Sequence, residues 1–305
     1  MKVFITGATG YVGGSVATRL MQAGHSVIGL ARSADAAAAL TKRGIEPLAG
    51  DINAYTPIVE VAKRVDAVIN AANSDNPFVV HALLEGLKGT GKTLIQTSGS
   101  SVVGAYDIGE PSDRIFDEDT PFTPQAEKAG RVAIDHAVLD AARHGVRAIV
   151  IRPTLIYGRG LGVPAAVSVQ LPKLIDLARR HGVGRHVGRG ANIWSNVHIA
   201  DVAEFYLLAL EKAPTGSVFY AENGEADFKS IAAALSRMLG FGGTTRDMPI
   251  GEAVAELGPG AYLSFGSNSR VRGVKSRAVL GWQPTGGTLF DEIEKGVYAQ
   301  VYGRK

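Results

Sequence analysis

Three glycines near the start of the chain, Gly7, Gly10 and Gly13, have the spacing of a phosphate-binding turn. The β-branched and aromatic run over residues 3–5 precedes them, and a helical pattern continues to Leu20, so they lie at a strand-to-helix turn. Gly7 permits the sharp turn, Gly10 lets the backbone approach a pyrophosphate, and Gly13 lets the helix pack on the strand. The helix N-terminus directs free N–H groups at the phosphates. The residues expected to bind a dinucleotide here are Thr6, Gly7, Thr9, Gly10, Tyr11, Val12 and Gly13.

The end of the second predicted strand, residues 25–30, indicates which dinucleotide is bound. A site that prefers NAD carries Asp or Glu there, which accepts a hydrogen bond from the ribose 2′-hydroxyl. This chain has Arg32 and Ser33 instead. A guanidinium forms charge-assisted bonds to a 2′-phosphate, each contributing about 1.5–3 kcal/mol, so NADP(H) is the expected cofactor. The alternative is that Arg32 is a solvated loop charge.

Strands and helices alternate through the first half of the chain. Helices are predicted over 34–43, 56–63 and 78–87, and strands over 46–52, 67–73 and 92–99. The alternation predicts an α/β fold with a doubly wound parallel sheet of the Rossmann type, whose ligands lie beyond the carboxyl ends of the strands. The residues near those ends that are expected to contact the cofactor are Asp51, Ile52, Ala71, Ala72, Asn73, Thr97 and Ser98.

In the second half of the chain, predicted strands and helices no longer alternate regularly. A polar loop over 106–125 leads to a long helix predicted over 126–144, closed by Gly145, and to a sixth strand over 146–153. Beyond a turn at 158–162, helices are predicted over 167–180, 199–212, 228–239 and 289–301, with a strand at 218–221. We expect residues 1–155 to form the dinucleotide-binding core. Residues 156–305 are expected to form a substrate-binding lobe interleaved with it, with about 196–223 returning to the core.

Composition excludes several classes of protein. The 305 residues include 32 Lys and Arg against 29 Asp and Glu, a net charge of +3, and the cations are scattered, so nucleic acid is not an expected partner. There is no cysteine, which excludes a disulfide scaffold, and the seven histidines show no metal-ligand spacing, so no metal is expected. The first strand starts near residue 2, leaving no space for a signal peptide. Since no apolar run approaches the roughly 18–20 residues that cross a bilayer, a cytoplasmic protein is expected.

Five motifs together resemble the extended branch of the short-chain dehydrogenase/reductase superfamily, in its NAD-dependent epimerase/dehydratase-like form. They are Thr-Gly-Ala-Thr-Gly-Tyr-Val-Gly at 6–13, Gly-Asp-Ile at 50–52, Asn-Ala-Ala at 70–72, Ile-Arg-Pro at 151–153 with Tyr-Gly at 157–158, and Asn-Val-His-Ile-Ala-Asp-Val-Ala at 196–203. The resemblance implies a Rossmann core, bound NAD(P), contact of Pro153 with that cofactor, a small C-terminal substrate lobe and often a homodimer built through two long helices.

The family's catalytic residues are a serine after the fifth strand and a Tyr-x-x-x-Lys on the following helix, and here the sequence departs from the family. An acidic residue normally follows the lysine by four positions, so Asp135 makes Arg131 the lysine equivalent and Glu127 the tyrosine equivalent. The other alignment, with Lys128 as the lysine, puts Pro124 in the tyrosine position and fits less well. Counted back from the glycine at 104, the serine position is Gly99, flanked by Ser98 and Ser100.

These replacements change the chemistry that the family pattern implies. Arg131 can bond the nicotinamide ribose, as the family lysine does, and place positive charge near a developing oxyanion. Glu127 is better suited to act as a base than as an acid, because a glutamate titrates near 4.3 and a tyrosine near 10. The remaining candidate proton donors are Tyr106, Tyr157, Ser98 and Ser100. The alternative is that Glu127, Arg131 and Asp135 only form one face of a solvated helix.

Three functions remain open from the sequence. The first is an NADP-dependent oxidoreductase acting on a small, mostly apolar carbonyl or hydroxyl compound with an altered proton donor. The second is a lyase or isomerase that uses Glu127 as its base, and the third is a non-catalytic NADP-binding regulator. Substrate contacts are expected from Gly99, Tyr157 and Trp194, and further pocket candidates are Tyr11, Asn73, Tyr106, Leu161 and Tyr262.

Overall fold

Strands and helices alternate strictly through the first half of the chain. The structure, a computed structural model, describes residues 1–162 and 167–303. The elements are β1 (Lys2–Thr6), α1 (Tyr11–Gln22), β2 (Ser26–Ala31), α2 (Ala34–Lys42), β3 (Glu46–Ala49), α3 (Tyr55–Arg64), β4 (Ala67–Asn70), α4 (Pro77–Leu87), β5 (Thr93–Thr97), a 3₁₀ turn (Ser100–Val103), α5 (Ala126–Asp140), a second 3₁₀ turn (Ala141–His144) and β6 (Arg147–Pro153).

Shorter elements make up the second half. They are β7 (Leu155–Tyr157), α6 (Gln170–His181), β8 (Gly184–Val187), β9 (Ile193–His198), α7 (Ile199–Lys212), β10 (Ser217–Ala221), β11 (Glu225–Asp227), α8 (Phe228–Met238), β12 (Thr245–Met248), α9 (Ile250–Leu257), α10 (Ala261–Ser264), α11 (Val274–Leu280), α12 (Leu289–Glu294) and α13 (Val297–Tyr302). No helix in the described ranges combines the length and apolar character needed to cross a membrane.

Seven strands form one parallel sheet in the order β10-β6-β5-β4-β1-β2-β3. Strands β2 and β3 are added on one side of β1, and strands β4, β5, β6 and β10 are added on its other side. The crevice at the carboxyl ends of β1 and β4 is therefore the switch point, where doubly wound sheets bind ligands. The predicted α/β Rossmann fold is confirmed.

Helices cover both faces of this sheet, which explains why its strands are apolar throughout. Alternate residues of β1 enter different clusters: Val3 and Ile5 pack with α1 and α7, and Phe4 packs with α3, α4 and α5. A third cluster forms the core of the C-terminal elements around α6 and α8. Helix α5 runs antiparallel to the strands, so its N-terminus lies at the edge of the sheet that carries the crevice.

Several predicted boundaries differ from the structure. Strands predicted over 46–52 and 67–73 end at Ala49 and Asn70, because the neighbouring strands also end there and leave the following residues unpaired. The helix predicted over 289–301 is two helices, α12 and α13, interrupted at Gly296. The Glu292 carboxylate accepts a hydrogen bond from the Val297 N–H at 3.0 Å and so starts the second helix.

Candidate cofactor and active site

Three glycines shape the turn between β1 and α1. Gly7 has a φ of 72°, in the left-handed region that favours glycine. A Cβ on Gly7 would lie 2.7 Å from the Ala71 carbonyl oxygen, and a Cβ on Gly13 would lie 2.4 Å from the Gly7 carbonyl oxygen. Side chains are therefore excluded at both positions. Within the residues that the structure describes, no side chain caps the N-terminus of α1, so its first N–H groups are left to bind an anion.

A cleft of about 540 Å³ opens in front of this turn, at the carboxyl ends of β1 to β4. Ten of the predicted cofactor residues line it: Gly7, Thr9, Gly10, Arg32, Ser33, Asp51, Ile52, Ala71, Ala72 and Asn73. Leu30, Ala36 and Gly50, which were not among the predicted cofactor residues, line it as well. Arg32 is exposed at the end of β2, where the guanidinium can meet a ligand on the adenosine side.

Some residues predicted to bind the cofactor use their side chains to hold the turn instead. Thr6 is fully buried, and its hydroxyl donates to Asn70 Oδ1 at 2.5 Å. The Tyr11 hydroxyl donates to the Gly158 carbonyl at 2.8 Å, and the Thr97 hydroxyl pairs with a buried tyrosine. Val12 packs against the core beside α1. Because these side chains already have partners inside the protein, we expect ligand contact at these positions to come from the backbone.

A buried ion pair lies under the end of β5. Asp135 of α5 accepts at Oδ2 from Ser98 Oγ at 3.0 Å and from Arg152 Nε and Nη2 at 3.0 and 2.9 Å. The Arg152 guanidinium also lies over the rings of Phe122 and Tyr220. Burial raises the pKa of Asp135, although Arg152 opposes the shift. Because Ser98 gives its hydroxyl proton to Asp135, it is a poor candidate for the proton donor.

Three residues predicted to act on the substrate are placed in the core instead. Ser100 is buried, with its Oγ 2.8 Å from the Ser269 hydroxyl. Tyr157 is buried and donates to the Gly287 carbonyl at 2.8 Å, and burial raises its pKa. Trp194 is buried and its indole N–H donates to a backbone carbonyl. Each polar group already has a hydrogen-bond partner inside the protein, which argues against side-chain contact of these three residues with substrate.

Arg131 and Gly99 come together at the mouth of the crevice. Arg131 Nε and Nη2 donate to the two carboxylate oxygens of Asp75 at 2.8 and 2.5 Å, which lowers the pKa of Asp75. The third nitrogen, Nη1, lies 3.3 Å from the point where a Cβ on Gly99 would stand, and the Pro153 carbonyl oxygen lies 3.9 Å from that point. Gly99 thus leaves room for the guanidinium. Nη1 has no hydrogen-bond partner among residues 1–162 and 167–303, so it remains free to donate.

Glu127 and Tyr106 form an exposed pair beside Arg131. The Tyr106 hydroxyl donates to the Glu127 carboxylate, and its ring packs edge-on against Tyr262. This hydrogen bond lowers the pKa of Glu127 and raises the pKa of Tyr106. The pairing therefore makes Glu127 a weaker base and Tyr106 a weaker acid than either would be alone.

Two polar residues at this mouth were missed by the sequence patterns. Asp75, which orients Arg131, is 56 positions away from it, and no spacing rule connects the two. Lys128 was considered only as an alternative lysine of the family motif. Its helical spacing from Arg131 and Asp135, three and seven residues, is the signal that would have placed it on their face. Across the part of the chain that the structure describes, no group of His, Asp or Glu side chains is arranged to hold a metal.

The doubly wound sheet, the glycine turn and the cleft at the switch point define a dinucleotide-binding protein of the Rossmann class. The comparisons with known proteins agree. The chain belongs to the NAD dependent epimerase/dehydratase family, whose model matches residues 3–220. The resemblance that the motifs indicate is therefore confirmed, and a nicotinamide dinucleotide is the supported cofactor.

Individual relatives cover nearly the whole chain. An uncharacterized protein of Schizosaccharomyces pombe is 30% identical over 98% of this chain and 100% of its own length. A 4-hydroxy-2-methyl-3-oxo-4-farnesyl-3,4-dihydroquinoline-1-oxide ketoreductase of Stigmatella aurantiaca is 26% identical over 92% of this chain and 86% of its own. The crystal structure of dTDP-glucose 4,6-dehydratase from Bacillus anthracis in complex with NAD superposes with a TM-score of 0.76 at 19% identity, covering 99% and 96% of the two chains.

Proposed function

We propose that the protein is an NADP(H)-dependent oxidoreductase that interconverts a small, mostly apolar carbonyl compound and its alcohol. The observation that carries the proposal is the free Nη1 of Arg131 over Gly99. In this assignment residues 1–155 hold the cofactor, and residues 156–305 hold the substrate and return to the core at about 196–223. The dinucleotide, when bound, supplies or accepts the hydride.

Arg131 is assigned the role of stabilising the oxyanion that develops on the substrate. Asp75 holds two of its nitrogens in a bidentate pair, so Nη1 is oriented before the substrate arrives. A preorganised donor stabilises the transition state without reorganisation during the reaction. A carbonyl oxygen is the substrate atom that matches an N–H donor at this point. Support also comes from the ketoreductase among the relatives.

The two other functions predict different chemistry. A lyase or isomerase needs a base, and the hydrogen bond from Tyr106 makes Glu127 a weak one. A regulator would bind the cofactor and leave carbonyl compounds unchanged. We expect stopped-flow absorbance at the reduced-nicotinamide band to fall when the NADPH-loaded protein meets members of a carbonyl panel. Deuterium exchange at a substrate carbon without net redox change would favour the lyase or isomerase, and cofactor binding with no reaction would favour the regulator.

Arg32 is proposed to select NADP(H) over NAD(H). Removing charge-assisted bonds worth about 1.5–3 kcal/mol corresponds to a change in affinity of about 10- to 150-fold. Arg32→Ala is therefore expected to raise the Kd for NADPH by that factor and to leave the Kd for NADH nearly unchanged, measured by calorimetry. Lys42→Ala, which removes an exposed cation at the other end of α2, is the matched control. Equal losses for the two cofactors would remove the assignment.

A second copy of the chain is the proposed partner, in addition to the small-molecule substrate. A groove of about 510 Å³ lies between α4 and α5, and most of its lining is apolar, including Leu84 and Ile134. Asp75, Glu127 and Arg131 line its end next to the proposed active site, and the neighbouring Phe78 is 72% exposed. Small residues on α5, Ala133 and Ala137, allow another helix to approach closely. We expect sedimentation velocity to give a dimer and Phe78→Glu to give a monomer, whereas a monomeric wild type would contradict this. A cytoplasmic location stays a prediction from the sequence.

A further inference from the structure

Lys128 lies in the first turn of α5, at the end of that helix nearest the mouth of the crevice. It shares a helix face with Arg131 and Asp135, which follow it by three and seven residues. Those two residues show where this face points. Arg131 lies against Gly99, and Asp135 is buried against Ser98 at the end of β5. Lys128 starts from the same face and lies close enough to Arg131 and Asp75 to interact electrostatically with both, so it borders the site where the substrate carbonyl is proposed to bind.

The ammonium of Lys128 is half-buried and has no dedicated partner. Its Nζ makes no hydrogen bond or ion pair within the described ranges 1–162 and 167–303. The charged groups that face it are Arg131 and Glu127 of α5 and Asp75 from the loop before α4. Both Asp75 oxygens are occupied by Arg131, and Glu127 accepts from Tyr106. Burial and the Arg131 guanidinium lower the pKa of Lys128, while the two carboxylates oppose the shift.

Other groups near the mouth are poorly suited to donate a proton. The Ser98 hydroxyl already donates a hydrogen bond to Asp135. Ser100 and Tyr157 are buried, and their hydroxyls form hydrogen bonds inside the protein. Tyr106 holds its proton more tightly because of Glu127. A guanidinium does not release its proton in proteins, so Arg131 can only stabilise charge. An ammonium can release a proton, and burial lowers the pKa of Lys128, which makes it a stronger acid than an exposed lysine.

We propose that Lys128 is the catalytic proton donor for carbonyl reduction, an inference that rests on the proposed function. The carbonyl π bond breaks as a C–H bond forms with the hydride from the reduced dinucleotide, which is oxidised in the same step. An O–H bond forms between the substrate oxygen and a proton of Lys128 Nζ. The neutral amine then regains a proton from water. Arg131 stabilises the oxygen until the proton arrives.

Lys128→Arg and Lys128→Met test the assignment. Arginine keeps the charge but cannot release a proton, so both variants are expected to lower kcat for reduction by about 10²- to 10⁴-fold, with KM changed by less than about threefold. Wild-type kcat is expected to fall as the pH rises through the pKa of Lys128, and this limb of the profile is expected to disappear in both variants. Lys42→Met serves as the control for removing an exposed lysine.

A second measurement does not depend on turnover. The lysines are labelled by reductive ¹³C-methylation, and the Lys128 signal is assigned as the one missing in Lys128→Arg. In an NMR pH titration, we expect the pKa of Lys128 to be lower than those of the exposed lysines. The proposal is overturned if Lys128 titrates with them, if Lys128→Met keeps kcat, or if only KM rises, which would make Lys128 a substrate anchor. If Lys128→Met keeps the wild-type kcat while Arg131→Met loses most of it, the proton-donor role of Lys128 is overturned and the proposed oxidoreductase function stands. A wild type that binds NADPH but transfers no hydride would overturn the proposed function, and the proton-donor role with it.

Discussion

Replacing Arg131 by methionine is expected to lower kcat for hydride transfer by about 10²- to 10³-fold, the usual effect of removing one oxyanion donor. Methionine keeps most of the length and apolar volume of the side chain and removes only the charge and the N–H groups. The Asp75 carboxylate loses its partner but is more than half exposed, at 55%, so the fold is expected to tolerate the change. Single-turnover absorbance measurements separate this loss from cofactor binding, and unchanged kcat would contradict the role of Nη1.

Two further substitutions separate charge from geometry at this position. Arg131→Lys keeps a positive charge but provides a point charge instead of a planar fork, so it cannot bind Asp75 and face Gly99 in the same way. We expect it to recover only part of the lost rate. Gly99→Ser restores the family's residue, but a Cβ there stands 3.3 Å from Nη1 and pushes the guanidinium away. A lower kcat in Gly99→Ser, with the charge intact, would show that the position of Nη1 matters.

The parts of the fold that local patterns determine were predictable from the sequence. A strand covered on both faces must be apolar throughout, which made β1, β4 and β5 recognisable. Gly7 and Gly13 are fixed by the close approach of backbone atoms, so their spacing indicated the turn before any contact was known. The short strands β7, β8, β11 and β12 have three or four residues each, too few to show a period. They depend on contacts with distant segments.

The candidate active site was less predictable, because it is assembled from contacts between distant residues. The family alignment placed Glu127 and Arg131 on one helix, but Asp75 and Tyr106, which decide what each can do, come from other segments. Aromatic residue type did not separate pocket from core. Tyr157 was expected to contact substrate, yet its hydroxyl is bonded to a backbone carbonyl inside the protein. Composition cannot reveal which of these environments a tyrosine occupies.

Removing the Asp135 side chain is expected to be the most destabilising of these changes. Asp135→Ala leaves the buried Arg152 guanidinium without its carboxylate, and breaking a buried pair in this way costs about 3–5 kcal/mol. Urea denaturation at pH 7 measures the loss. The double variant Asp135→Ala/Arg152→Met removes the unpaired charge as well and is expected to recover a large part of it. A double variant that is as unstable as the sum of the two single variants would show that the pair is not coupled.

The pH dependence of stability gives this ion pair an independent test with a defined sign. Burial raises the pKa of Asp135, so the folded protein keeps this proton at pH values where the unfolded chain, with a pKa of about 3.9, has released it. The contribution of this carboxyl to stability is therefore greatest below the unfolded pKa and falls as the pH rises through the folded value. Asp135→Asn cannot titrate, so the free energy of unfolding of the wild type minus that of the variant is expected to decrease from pH 4 upward. An increase over that range would mean that Arg152 outweighs burial and lowers the pKa of Asp135.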